Sequence, residues 1–465
     1  MNIRQLVVIA MALTMAVTVP ALAQPSKAMS MANSVGKGSL AVVAWETDEG
    51  AGPQQFSALG VCVAVDNNGL ATLAAMGLDT SAAPDDLMNI KVILPGIDGD
   101  EIPATLLGID PLTSIAFFRT DQAHDWKPVQ FVRESGVSVG DEVVSVGLLS
   151  SDLGRLPYVG KAYVSASIRT PNKIFMVAGG NLTQTGSLVL NANGELIGIV
   201  GQQLFSTYQM VLQRQPVIVP MRGQQWTDSF LPVEEFADVF DHVPSSPDQV
   251  RQVPWLGALG VEAVERNLWE GYSLKSPGVK LMDIVPGSSA DKAGLIDGDI
   301  VFAMNGEPLE QLATADLTAR QMLSDFSQMS VGQTITIDFL RDLEQRRATM
   351  TLEVWPKRPN QAARYVDLTI GIRIREKVEL DQYINKSTAA TVPGLIVLLV
   401  APKSPADRAG LQAGDLIVSI AGQPVRTIEV YKQLVEKETT ASVTSSIDML
   451  VRRGDQDKVI AIRLN

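Results

Sequence analysis

Three segments of the chain have the glycines, small polar residues and strand patterns that surround the catalytic groups of serine hydrolases. They are GVCVAVDNNGLATLAAMGLD (Gly60–Asp79), GIDPLTSIAFFRTD (Gly108–Asp121) and GGNLTQTGSLVLNANGELIGIVG (Gly179–Gly201). Peptide hydrolysis by a serine hydroxyl needs an imidazole to accept the proton and a carboxylate to orient that imidazole. The chain has two histidines, His124 and His242, and neither lies in these segments. We predict that both are solvated loop residues. The three segments would then lack the imidazole that this reaction needs.

The order and spacing of the three segments, with their surrounding strand patterns, resemble the trypsin-like domain of the HtrA/DegP family of periplasmic serine proteases. In that family the segments carry the base, the acid and the nucleophile in this order. The resemblance implies a protein that binds unfolded or damaged polypeptides and, in active members, cleaves them by serine nucleophilic attack.

The first two segments have other residues at the positions of the base and the acid. Collinear alignment from Gly69 places Met76 at the base, and a shift of one residue places Ala75 there. Neither side chain accepts a proton. Ser114 occupies the position of the acid. The resemblance therefore implies a site that has lost its proton-transfer pair.

The third segment has lost the nucleophile and the glycine-rich oxyanion loop of the family. Counting back from Leu188 places Gln184 at the nucleophile, and counting back from Gly194 places Thr185 there. Ser187 is the remaining candidate for a displaced nucleophile, but no lysine that could act as its base lies in this loop. We predict that Ser187 begins the strand that follows and that the protein is a pseudoprotease.

Composition excludes several other functions. The net charge of −13, without a basic cluster, argues against binding to nucleic acid or to anionic membrane surfaces. Two histidines and one cysteine argue against a zinc site, and we predict no metal and no cofactor. The lone Cys62 lies in an apolar strand pattern, which predicts a small core residue.

The N-terminus has the pattern of an export signal. Arg4 precedes the apolar stretch Leu6–Val19, and Ala21-Leu22-Ala23 predicts cleavage before Gln24. The alternative is an anchor that is never cleaved. We predict a periplasmic or otherwise extracytoplasmic protein without stable membrane insertion after cleavage.

Short alternating runs and turn signals predict a mainly β protein, with a double barrel or a sandwich in its first part. The resemblance to the HtrA/DegP family implies that this part is a trypsin-like double β-barrel and that two PDZ domains follow it, which are α+β and partly opened barrels. The predicted divisions are a signal peptide at 1–23, a flexible segment at 24–38, the protease-like domain at 39–240, a linker at 241–252, and PDZ domains at 253–357 and 364–465.

The last two divisions come from an internal repeat. SSADKAGLIDGDIVFAMNGEPL (Ser288–Leu309) pairs without gaps with SPADRAGLQAGDLIVSIAGQPV (Ser404–Val425), and ten of the twenty-two positions are identical. Such self-similarity indicates a duplicated unit. Ser288 and Ser404 are predicted caps of a short helix. The units resemble PDZ domains of the bacterial, HtrA-associated kind.

The resemblance places peptide binding at a loop before the first long strand of each unit. The matching residues are Trp255, Leu256, Gly257 and Ala258 in the first unit and Thr369, Ile370, Gly371 and Ile372 in the second. Such loops turn backbone N–H groups toward the C-terminal carboxylate of a peptide that adds as a strand. The alternative is that both segments are ordinary strand starts.

Three functions remain open on the sequence. The first is a proteolytically inactive HtrA-like protein that binds unfolded polypeptides or protein C-termini as a chaperone, adaptor or regulator. The second is a serine endopeptidase with a non-standard active site. The third is a structural assembly component, and each is compatible with a homo-oligomer.

Overall fold

The protein, seen in a computed structural model, is described over residues 26–48, 53–66, 69–75, 87–96, 99–169, 172–201, 207–212, 215–220, 228–384, 392–441 and 446–464. Two closed antiparallel barrels occupy its N-terminal half, which confirms the predicted mainly β double barrel. The first barrel has the strand order β1-β2-β3-β6-β5-β4. Its strands are β1 Leu40–Asp48, β2 Pro53–Asp66, β3 Gly69–Ala75, β4 Met88–Ile93, β5 Glu101–Ile109 and β6 Ile115–Thr120.

The second barrel has the strand order β10-β11-β14-β9-β8-β7, and β12 pairs with β13 as a separate hairpin. These strands are β7 Glu142–Leu148, β8 Pro157–Arg169, β9 Lys173–Asn181, β10 Leu188–Asn191, β11 Leu196–Val200, β12 Thr207–Leu212, β13 Gln215–Pro220 and β14 Ser229–Pro232. Three short 3₁₀ helices follow, at Val233–Glu235, Ala237–His242 and Pro247–Gln249. One buried apolar cluster contains residues of both barrels, such as Phe117 and Leu188, and joins them.

The segment predicted to be flexible at 24–38 is instead largely helical, and that prediction is wrong for helix α1, Lys27–Gly38. The Ser26 hydroxyl accepts a hydrogen bond from Met29 N and caps the helix. Ala28, Ala32 and Val35 recur at helical spacing and are buried in the cluster that joins the barrels. The sequence pattern of small residues hid this apolar stripe, because alanine covers little area by itself.

The first repeat forms a sheet of order β16-β17-β18-β20-β21, with β19 paired to β18, and β15 pairs with β22 separately. Its elements are β15 Pro254–Trp255, β16 Ala258–Ala263, α2 Arg266–Gly271, β17 Val279–Ile284, α3 Ser289–Lys292, β18 Ile300–Met304, β19 Glu307–Pro308, α4 Ala315–Ser327, β20 Thr334–Arg341, β21 Glu344–Thr351 and β22 Glu353–Val354. Helix α4 packs against β16.

The second repeat forms a sheet of order β23-β24-β25-β26-β28-β29, with β27 paired to β26. Its elements are β23 Arg364–Asp367, β24 Ile372–Glu376, α5 Asp381–Ile384, β25 Leu395–Val400, α6 Pro405–Ala409, β26 Leu416–Ile420, β27 Gln423–Pro424, α7 Ile428–Ala441, β28 Ser446–Arg453 and β29 Gln456–Arg463. Ser288 and Ser404 cap α3 and α6, as the repeated sequence predicts.

Candidate functional site

A cleft of about 660 Å³ lies between the two barrels, and it contains the third protease-like segment. Gln184 and Thr185 line one side, and residues 55–59 of β2 line another. Met76, the predicted replacement of the base, lies outside the described residues. The cleft therefore brings residues of the third segment together with residues of β2.

The alignment that places Gln184 at the nucleophile leaves no free oxyanion donor. A serine protease binds the oxyanion with the N–H of its nucleophile and the N–H two residues earlier. Gln184 N donates to the Tyr158 hydroxyl at 3.1 Å, and Leu182 N donates to Asp228 Oδ2 at 2.8 Å. Burial raises the pKa of Tyr158, so its hydroxyl stays neutral. Both donors are thus used within the protein.

The alternative alignment, with Thr185 at the nucleophile, has one of its two oxyanion donors used within the protein. The N–H two residues earlier belongs to Thr183 and donates to Ser145 Oγ at 2.8 Å. The Thr185 hydroxyl itself donates to Gly201 O at 3.2 Å. In serine proteases, loss of one oxyanion donor lowers kcat by a factor on the order of 10²–10³.

Ser187, the candidate displaced nucleophile, has a fully buried side chain. Its Oγ has no hydrogen-bond partner among the described residues, so no base activates it there. Lys161 Nζ lies 2.6 Å from Glu142, and Lys173 Nζ lies 4.7 Å from the centroid of the Phe175 ring. A substrate carbonyl has no route to a hydroxyl with zero exposed area.

The acid segment is organised for structure. Ser114 has a φ of 59° and donates its N–H to Asp110 O at 2.9 Å. The buried Asp110 carboxylate accepts from Thr113 N and from the Thr113 hydroxyl, both at 2.9 Å. Its second oxygen lies 3.1 Å from Arg251 Nε. The carboxylate beside Ser114 therefore closes a turn and holds the segment after the barrels.

Both histidines are exposed and lie outside the cleft. The His124 ring packs edge-on against Trp126, with 4.8 Å between the ring centroids. His242 Nδ1 lies 3.0 Å from Asp238 O. Within the described ranges, no group of three or more His, Cys, Asp or Glu side chains could hold a metal ion.

The loop before β16 in the first repeat has two backbone N–H groups that bear on peptide binding. Gly257 has a φ of 95°, and its carbonyl accepts from Val285 N at 2.8 Å and from Ser288 Oγ at 3.2 Å. Leu256 and Gly257 are buried, yet their N–H groups have no acceptor in the described part of the chain. A buried N–H group without an acceptor is costly. Two such N–H donors directly before β16 are the groups that a peptide carboxylate would accept hydrogen bonds from.

The edge of β16 is also open to strand addition. Among the described strands, β16 pairs only with β17. Ala258 begins this strand, directly after the loop, and α4 packs beside it. An extended peptide that paired antiparallel with β16 would therefore have its C-terminus at Leu256 and Gly257, and α4, which packs against β16, would have to shift to admit it.

The side chain of Trp255, predicted among the peptide-binding residues, is buried in a cluster between the two repeats. Its partners include Val285 of the first repeat, Val378 and Leu380 of the second, and Ala362 of the segment that joins the repeats. Leu256 is buried in the core of the first repeat. Both side chains anchor the loop. The spacing of the motif could not show this cluster, because its members come from both repeats.

The loop of the second repeat is occupied by a residue that the sequence interpretation missed, Asp367. One carboxylate oxygen accepts from Thr369 N at 2.9 Å and from Ile370 N at 3.0 Å, while Asp367 O accepts from Gly371 N at 2.7 Å. The Tyr431 hydroxyl donates to the other oxygen at 2.9 Å. Burial, with the Asp367 charge, raises the pKa of Tyr431 and keeps it protonated.

Ile372, the last residue predicted for this loop, begins β24 and is buried in the core of the second repeat. The Asp-x-Thr spacing before the loop was the available signal for the missed aspartate, because aspartate often accepts bonds from the N–H groups two and three residues later. Nothing in that spacing indicated Tyr431, which comes from the distant helix α7.

Family models match three parts of the chain: a trypsin-like peptidase domain over residues 60–199 and PDZ domains over 253–333 and 396–448. The chain thus consists of a trypsin-like peptidase domain followed by two PDZ domains, which are the two repeats described above. Its homologues are named as HtrA/DegP-type periplasmic serine proteases.

The relatives carry that name. A periplasmic serine endoprotease DegP of Salmonella typhimurium is 27% identical over 414 residues, covering 86% of this chain and 76% of its own. DegP of Escherichia coli is 26% identical, covering 87% and 77%. A probable periplasmic serine protease of Haemophilus influenzae is 24% identical, covering 80% and 73%.

The solved structure of an HtrA-type protease with a decapeptide matches with a TM-score of 0.50 and 19% identity, covering 70% of this chain and 97% of that chain. This likeness shows the fold. Among the described residues, no helix is long and apolar enough to cross a membrane.

Proposed function

We propose that this protein is an extracytoplasmic peptide-binding protein that holds polypeptide C-termini in its first PDZ domain and does not cleave them. The observation that carries the proposal is the contrast between two sets of backbone donors. The loop N–H groups at Leu182, Thr183 and Gln184 are used inside the protein. Those at Leu256 and Gly257 have no acceptor in the described residues.

The absence of cleavage is supported by the burial of Ser187 and by the replacement of the base, acid and nucleophile positions. Incubation of the purified chain with unfolded casein and with a fluorophosphonate probe is the test, with an active serine protease as control. We expect neither cleavage nor labelling. Labelling of any serine in the barrels would instead favour an endopeptidase with a non-standard site.

Peptide binding is tested by titrating the full chain with one peptide carrying either a free or an amidated C-terminus. We expect a Kd in the micromolar range or weaker for the free acid, because a short strand offers few anchors. Amidation removes the charged acceptor, and we expect about tenfold weaker binding. Equal binding of both peptides would count against the carboxylate loop and in favour of an assembly role.

Export, with cleavage before Gln24, belongs to the same proposal, and N-terminal sequencing of the mature protein tests it. A chain that still starts at Met1 would contradict cleavage. The predicted domain boundaries likewise stay predictions, which limited proteolysis with mass spectrometry would check.

A further inference from the structure

In the second PDZ domain a strand of the chain itself lies where a peptide would add. β23 pairs antiparallel with β24, with Asp367 opposite Ile372 and Arg364 opposite Arg375. Its C-terminal end therefore lies at the loop that precedes β24. A peptide bound by strand addition in a PDZ domain has the same direction, with its C-terminus at that loop.

The other side of this strand contacts helix α7, the counterpart of α4 in the first repeat. The ring centroids of Tyr365 and Tyr431 are 6.1 Å apart, and Lys432 Nζ lies 4.3 Å from the centroid of the Tyr365 ring. Tyr431 and Lys432 belong to α7. β23 thus bonds to β24 through its backbone and to α7 through a side chain, as a peptide in the groove would.

The alternation of side chains along β23 fits this position. Successive side chains of a strand point to opposite faces. Tyr365 and Asp367 share the face that meets Tyr431, whereas the Val366 side chain between them is half exposed. Asp367 brings a carboxylate to the loop N–H groups, where the terminal carboxylate of a peptide would lie.

We propose that residues 364–367 are an internal ligand that closes the peptide groove of the second PDZ domain. When residues 364–367 leave the groove, it accepts peptides with a free C-terminal carboxylate and an aromatic residue two positions before the end. The carboxylate takes the place of the Asp367 side chain, and the aromatic residue takes the place of Tyr365. The proposal rests on the proposed function only in treating PDZ grooves as peptide sites. A tethered strand has an effective concentration on the order of millimolar, so micromolar peptides reach only the first domain.

The experiment uses the full chain and a peptide that copies residues 361–367, Gln-Ala-Ala-Arg-Tyr-Val-Asp, with a photoreactive group at its N-terminus. Crosslinked fragments are mapped by mass spectrometry at tens of micromolar peptide. In the unaltered chain we expect labels on β16 or α4 only. Tyr365→Ala removes the ring contacts of β23 with Tyr431 and Lys432 of α7 and leaves the bond from Tyr431 to Asp367. Labels on β24 or α7 should then rise about tenfold. Val366→Ala, in the same strand, is the matched control and should change nothing.

Hydrogen exchange of the unaltered chain gives a second measurement, which needs no variant. The amides of Thr369, Ile370 and Gly371 should exchange at least about tenfold more slowly than those of Leu256 and Gly257. Three results would overturn the proposal. They are equal exchange of the two sets of loop amides, equal labelling of both grooves in the unaltered chain, and labelling of α7 that does not increase in a folded Tyr365→Ala chain. Missing labels on β16 and α4 in every chain would instead contradict the proposed function of the first domain.

Discussion

The two PDZ domains are built on the same scaffold and differ at the groove. In each domain, a buried aspartate forms a bidentate ion pair with an arginine. The same arginine also donates to the carbonyl of the glycine that follows the short helix. The pairs are Asp299–Arg341 and Asp415–Arg453, with N–O distances of 2.6–2.7 Å. Arg341 and Arg453 reach Gly294 O and Gly410 O at 2.8 Å.

The groove differs because the strand before the loop takes a different partner. In the first domain β15 pairs with β22, which leaves the edge of β16 open, whereas in the second β23 turns back onto β24. The helix differs as well. Four residues after the capping threonine, α4 has Thr318, whose hydroxyl donates to Glu310 O, and α7 has Tyr431, which donates to Asp367. Duplication kept the scaffold and changed the access to it.

The largest expected effect tests whether the scaffolds are equivalent. Asp299→Ala and Asp415→Ala each leave an arginine without its carboxylate, and we expect a loss of about 3–5 kcal/mol in the free energy of unfolding of the altered domain. Hydrogen exchange resolved by domain measures it, and the unaltered domain of each variant is the control. A variant that destabilises its unaltered domain as much as its altered one would contradict independent scaffolds, and clearly different losses for the two variants would contradict equivalent ones.

The loop glycines are the next comparison. Gly257→Ala and Gly371→Ala place a Cβ 2.7 Å from Ser288 Cβ and 2.2 Å from Ser404 Cβ, at φ values of 95° and 80°. We expect losses of about 2–4 kcal/mol, larger for Gly371. Gly306→Ala is the control, because its φ is 81° but nothing lies within 4 Å. Denaturant midpoints measure these losses, and equal cost at all three sites would exclude a role for the serines.

A loss of peptide binding in a Gly257 variant would therefore need a folding measurement beside it. The contact with Ser288 alone destabilises the loop, whether or not a carboxylate binds there. The amidated peptide is the cleaner probe of the first groove.

Tyr431→Phe should have a smaller effect, confined to the second domain. It removes the hydroxyl that donates to the buried Asp367 carboxylate, and a hydrogen bond to a charged group contributes about 1.5–3 kcal/mol. Urea unfolding of the full chain, followed by domain-resolved exchange, measures the loss. Because the closing strand is weakened, crosslinking at α7 should also increase. A variant as stable as the unaltered chain would show that the tyrosine does not hold β23.

The smallest effect concerns alkaline pH. Burial raises the pKa of Tyr431, so its contribution to stability is complete below the unfolded tyrosine value of about 10 and is lost as pH rises above it. We expect the melting temperature of the second domain to fall more between about pH 9 and 11 than that of its Tyr431→Phe variant. Equal slopes for the two chains would contradict this assignment.

Much of this molecule was predictable from local sequence. Turn signals and alternating strands predicted a mainly β part, and the gapless repeat predicted a duplicated unit, because these patterns depend on near neighbours in the chain. The double barrel and the two PDZ domains were predicted from the family resemblance. The capping serines Ser288 and Ser404 and the loop glycines Gly257 and Gly371 lie where the pattern put them. The substituted triad positions are also a property of the sequence alone.

Tertiary structure alone decided which groups meet. Helix α1 forms because three small residues pack into the joint between the barrels, and Ser187 is buried because the barrel closes over it. Trp255 lies between the domains and not in a groove. The closing of one groove and not the other depends on the partner of a four-residue strand. Periodicity determines the faces of such a strand but not its neighbour, since strand pairing is set by contacts distant in sequence.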